Sequence, residues 1–140
     1  MVGMLVRIFV PKYTEKYLTL HAGSSKNGFE MYYVSKRLEI SSAHSLTLGY
    51  ESKCESLHGH NWVVVVHCKS RELNSDGMVT DFTLIKKLIS DRLDHRNLND
   101  VFDFNPTAEN IARWICDQVE NCYKVEVWES ENNKACYERD

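Results

Sequence analysis

Between residues 32 and 44 the side chains alternate in character, and this stretch constrains the fold more than any other. Even positions read Tyr32, Val34, Lys36, Leu38, Ile40, Ser42 and His44; odd positions read Tyr33, Ser35, Arg37, Glu39 and Ser41. Successive side chains of a strand point to opposite faces, so the pattern predicts a strand with one mostly buried face. His44 falls on the buried parity. Residues 45–57, with Gly49, Ser52, Lys53 and Glu55, read as a loop, and the valine-rich segment 60–69 predicts a second strand. Then the period changes. Apolar residues at 82, 84, 85, 88, 89 and 93 predict a helix capped by Asp81. Ala108, Ile111, Ala112, Ile115, Val119 and Cys122 recur at spacings of three and four, predicting a helix over 108–122 that starts near Pro106 or Thr107. Segments 123–129 and 134–138, divided by Asn132-Asn133, predict two closing strands. The order ββααββ describes an α+β domain.

A chain of 140 residues suits one domain, and no repeat or low-complexity segment occurs. Residues 1–30 fit the pattern less well. A strand at 5–10 and a linker at 23–28 are expected there, as an N-terminal extension to a domain spanning 31–140. Net charge is −3 with no lysine or arginine block, which argues against a nucleic-acid partner. The longest apolar run, 63–66, is far too short to cross a bilayer. Five cysteines, an odd number with no CxxC pair, and an N-terminus without a basic leader point to reduced thiols in the cytoplasm.

Chemistry concentrates in the histidines. His58-Gly59-His60 puts two imidazoles on one face of an extended chain, about 7 Å apart along the backbone. Side chains so spaced can close on one ion at Zn–N distances of about 2.0–2.1 Å. His44 adds a third imidazole if the first strand pairs beside the second. Three histidines with an open fourth position suit a catalytic zinc ion, although unrelated surface or core histidines would leave the same letters. His67 has the opposite parity to His60, and Cys68, on the same face, is out of reach. Cys54, four residues before His58, has two readings. It is a fourth ligand closing a structural site, or a thiolate acting as a base.

Other residues could complete a site. Asp94 and His95 follow the first helix, where a carboxylate can orient an imidazole; a polar helix end explains them equally well. Glu129 shares the parity of Val125 and Val127. A buried carboxylate is costly without donors, so it requires a partner or exposure at the strand end. Thr107 and Glu109 lie near free N–H groups at the start of the second helix, where capping accounts for both and substrate contact is an alternative.

Taken together, these residues resemble the 6-pyruvoyltetrahydropterin synthase family, and within it the 6-carboxytetrahydropterin synthases of queuosine biosynthesis. The resemblance rests on Ser42-Ala43-His44, on Cys54-Glu55-Ser56-Leu57-His58-Gly59-His60-Asn61, and on Gly77-Met78-Val79-Thr80-Asp81-Phe82. It continues through Leu93-Asp94-His95-Arg96-Asn97-Leu98-Asn99, Pro106-Thr107-Ala108-Glu109-Asn110 and Val127-Trp128-Glu129, in family order. It implies one zinc ion held by His44, His58 and His60, with Cys54 as catalytic base and Asp94 and His95 as its relay. Glu129 would anchor the pterin ring and join the relay. The implied architecture is the tunnelling fold: a four-stranded antiparallel sheet with two helices on one face, its subunits closing a β-barrel as a trimer or a dimer of trimers. Active sites would lie between subunits. Three residues separate Cys54 from His58, as in the carboxy-forming branch. The expected reaction converts 7,8-dihydroneopterin triphosphate to 6-carboxytetrahydropterin, acetaldehyde and triphosphate. The alternatives are the pyruvoyl-forming reaction and a non-catalytic zinc- or pterin-binding module.

Overall fold

The structure is a computed structural model that describes residues 30–140. The strand and linker expected at 5–10 and 23–28 lie outside the described residues. Four strands, β1 (Tyr32–His44), β2 (His58–Ser70), β3 (Cys122–Ser130) and β4 (Asn133–Glu138), form one antiparallel sheet in the order β1-β2-β3-β4. Between β2 and β3 run α1 (Phe82–Leu93), a single turn α2 (Leu98–Val101), and α3 (Ala108–Gln118). Helix α1 packs toward β1, and α3 toward β3 and β4.

The alternation read in the sequence becomes the division between core and open face. Leu38, Ile40, Trp62, Val64, Val66, Cys68, Val125 and Val127 point toward the helices and are buried with Ile85, Ile89, Leu93, Ile111 and Ile115. Each fully buried aliphatic side chain contributes about 1.5–3 kcal/mol of transfer free energy. Asp81 caps α1, its carboxylate accepting from Thr83 N at 2.7 Å, and Thr107 caps α3 through Oγ1, which accepts from Asn110 N at 3.3 Å.

Two elements differ from expectation. The second long helix ends at Gln118 rather than continuing to residue 122, because Asn121 takes a left-handed conformation (φ 59°) and turns the chain into β3. Cys122 therefore faces the core from a strand, opposite Cys68. The polar stretch between the long helices also contains α2, capped by Asn97, whose side chain accepts from Asn99 N at 3.2 Å.

Candidate metal centre and active site

The pairing of β1 with β2 sets His44 opposite His58 and Ser42 opposite His60. All three histidines have even parity, so their rings converge under the helix-covered end of the sheet. His44 is fully buried. Its Nδ1 lies 2.8 Å from the Pro106 carbonyl and His58 Nδ1 lies 2.7 Å from the Ser56 carbonyl. A ring nitrogen facing a carbonyl must carry the proton, so both Nε2 atoms present bare lone pairs. Yet His44 Nε2 and His58 Nε2 stand 3.1 Å apart. Two lone pairs at that distance repel unless a cation or proton sits against them.

His60 supplies a second sign that the group is built to face a cation. Its Nε2 is buried without a hydrogen-bond partner among the described residues, although Glu129 Oε1 lies 3.3 Å away. Burial, and the neighbouring imidazoles to a lesser degree, hold His60 below the usual histidine pKa, while Glu129 acts in the opposite sense. Neutral imidazole is the form that binds a metal. Trp62 packs edge-on against His44 and His60, with ring centroids 4.9 and 5.2 Å away, and donates Nε1–H to the Ser42 carbonyl at 3.3 Å.

Glu129 completes the group. A register shift between Trp128 and Ser130 leaves Glu129 without a partner on β4, a local bulge that re-aims one side chain. Its Oε1 comes 3.1 Å from His44 Nε2, and the ligand atoms of His44, His58, His60 and Glu129 all lie within 4.8 Å of one another. Three imidazoles and one carboxylate fit a divalent transition-metal ion such as zinc. Thr107, Glu109 and Glu129, singled out separately in the sequence, line one cleft of about 430 Å³ with Leu46 and Lys134.

Cys54 lies outside the donor group. It sits half-buried in a short helical turn (Lys53–Glu55), its amide donating to Ser52 Oγ at 3.2 Å and its carbonyl accepting from Leu46 N at 2.8 Å. Asp94 and His95 lie along the free edge of β1. The Ser41 amide donates to Asp94 Oδ1 at 2.8 Å, the His95 amide to the Ser41 carbonyl at 2.7 Å, and the Ala43 amide to the Arg96 carbonyl at 3.0 Å. The Ser41 hydrogen bond, with His95 Nδ1 3.1 Å from Oδ1, holds Asp94 below the usual carboxylate pKa. His95 takes a left-handed conformation (φ 55°), and its side chain is 82% exposed. Among the described residues, no hydrogen bond or ion pair joins Asp94 or His95 to the imidazole cluster.

Sequence reasoning missed the two carbonyls that fix the imidazoles, because a main-chain acceptor leaves no mark on residue type. It also missed Asn99 and Asn105, whose side-chain amides pair with the backbone of Ser45 and Thr47 at 2.8–2.9 Å and hold the loop beyond His44 in place.

Residues 33–140 match the protein family described as 6-pyruvoyl tetrahydropterin synthase. The 6-carboxy-5,6,7,8-tetrahydropterin synthase of Bacillus subtilis is 33% identical over 94 residues, covering 62% of this chain, which in turn spans 64% of that protein. The 6-pyruvoyl tetrahydrobiopterin synthase of Dictyostelium discoideum is 36% identical over 98 residues, covering 61% of this chain and 73% of that one. The solved structure of Caenorhabditis elegans 6-pyruvoyl tetrahydropterin synthase superposes with a TM-score of 0.64 at 28% identity, covering 80% of this chain and 98% of that chain. The expected subunit architecture of the tunnelling fold, a four-stranded antiparallel sheet with helices packed on it, is thereby borne out.

Proposed function

The chain belongs to the 6-pyruvoyl tetrahydropterin synthase family of pterin-converting lyases, and within it we propose that it is a zinc-dependent 6-carboxy-5,6,7,8-tetrahydropterin synthase. It would act in the cytoplasm, in queuosine biosynthesis, on 7,8-dihydroneopterin triphosphate. The convergence of His44, His58, His60 and Glu129 on one point carries the reading of a metal-dependent site. Relatives divide between the carboxy- and pyruvoyl-forming enzymes at similar identity. The three-residue gap between Cys54 and His58 favours the carboxy-forming branch.

His44, His58 and His60 would hold the zinc ion. The chemistry it supplies when bound is Lewis acidity toward the side-chain hydroxyls, which makes the adjoining C–H protons easier to remove. Glu129, in the cleft with Thr107 and Glu109, would accept hydrogen bonds from the pterin ring. Cys54 would take protons from the side chain as thiolate, with His95 and Asp94 exchanging them onward. Since Asp94 and His95 lie along the free edge of β1, with His95 exposed, they would serve the site of an adjoining subunit in a trimer or a dimer of trimers. Elimination would expel triphosphate, and addition of water would release acetaldehyde.

The test is incubation of the zinc-loaded protein with 7,8-dihydroneopterin triphosphate and mass spectrometry of the products. 6-Carboxytetrahydropterin with acetaldehyde is expected. A pyruvoyl product would move the chain to the sister branch, and no turnover of any pterin would sink the enzyme reading.

A further inference from the structure

A substrate bearing a triphosphate brings several negative charges to a chain whose own net charge is −3, so fixed cations must meet it. Two of the clefts adjoining the residues proposed for catalysis hold cations that differ in how free they are. In the Glu129 cleft the cation is Lys134, already held 2.9 Å from Glu126 Oε1 and lying over the Trp128 ring at 5.2 Å. The other cleft, of about 530 Å³, is bordered by Ser41, His60, Asn61, His95 and Arg96. Arg96 is the only permanently charged residue lining it.

Arg96 is also positioned and unspent. Its carbonyl is fixed to Ala43 N, while its exposed guanidinium has no partner among the described residues. His95 and Arg96 line together not only this cleft but the next one along the β1 edge. Arg92 reaches only that second cleft and stands 5.9 Å over the Trp114 ring. Because His95 and Arg96 are consecutive and share both clefts, whichever subunit receives His95 receives the Arg96 guanidinium as well.

Resting on the function proposed above, we infer that Arg96 binds the triphosphate group of the substrate. A guanidinium can pair two N–H donors with two phosphate oxygens. In the elimination a carbon-bound proton passes to the base and its electron pair forms the new double bond. The C–O bond then breaks with its pair leaving on the triphosphate oxygen, where Arg96 meets the added charge.

Calorimetry with inorganic tripolyphosphate, at fixed low salt, tests this on zinc-loaded full-length protein. Arg96→Ala should weaken binding about tenfold or more, the scale of losing a charge-assisted bidentate contact, and Arg96→Lys by less. Arg113→Ala, which removes an exposed arginine paired with Asp117 on α3, should leave binding unchanged, as should any of the three changes for unphosphorylated 7,8-dihydroneopterin. Equal tripolyphosphate affinity in wild type and Arg96→Ala, or no affinity in wild type, overturns the assignment. Arg96-dependent binding without pterin turnover would refute the proposed reaction and leave the anion site standing. Turnover with an unchanged KM in Arg96→Ala would do the reverse.

Discussion

His44 shows how much one side chain can be asked to do. Through Nδ1 it ties β1 to the Pro106 carbonyl, and through Nε2 it faces His58 and Glu129. His44→Ala should therefore cost both metal and fold, by roughly 2–5 kcal/mol in urea denaturation, since it opens a cavity and orphans a buried carbonyl. His60→Ala, at a less buried position, should lose bound zinc in elemental analysis while remaining folded. Cys54→Ala should keep zinc and fold but lose turnover; loss of zinc and stability together would instead make Cys54 part of the cage. Asp94 gives the pH signature. Its folded pKa lies below the unfolded value of about 3.9, so its contribution to stability is present above that value and disappears as pH falls through the folded one. Asp94→Asn should flatten that part of the acid limb in denaturation midpoints measured from about pH 5 to 2. Much of this was legible beforehand, since parity alone turned His44 inward and set Glu129 with the apolar positions. What was not legible were distances fixed by backbone: the Pro106 and Ser56 carbonyls, and the edge docking that carries His95 away from the cluster.

At the scale of elements, period identified strands and helices, and endpoints were harder. Cys122 continues the helical stripe numerically because an inward strand position can coincide with the helical period. Asn121, a residue type that tolerates left-handed backbone, was the available signal for the break. The carbonyl of Cys116, in the last turn of α3, is met by the guanidinium of Arg139 from the C-terminal end of the chain. The start of α3 bears on the site, because Thr107 caps the helix directly after Pro106. Thr107→Ala should cost about 1 kcal/mol in thermal or chemical melts. Zinc affinity should fall with it, as the Pro106 carbonyl loses its fixed place against His44. The Glu129 bulge was invisible from sequence, since strand parity predicts the face but not a skipped partner.

Among the described residues one sheet face is covered by helices and one is not, and both outer strands, β1 and β4, lack a second strand neighbour. Unpaired edges invite strand addition, the contact that the ring of subunits proposed above would supply. On β1 the amides of Ser41 and Ala43 point to the free edge, so those of Ser35, Arg37 and Glu39 share that direction. Glu39→Pro removes an edge donor without removing a β1–β2 bond. It should shift the protein toward monomers in analytical ultracentrifugation, with far-UV circular dichroism little changed and pterin turnover reduced.

The docking of residues 94–97 onto Ser41 and Ala43 has a consequence for that ring. A strand arriving along β1 finds open backbone up to Glu39 and then meets a stretch already occupied. In the ring proposed above the segment would work as a doorstop, fixing how far a neighbour can slide before it halts. Sequence drift in this loop would then alter the alignment of subunits as well as the proton relay.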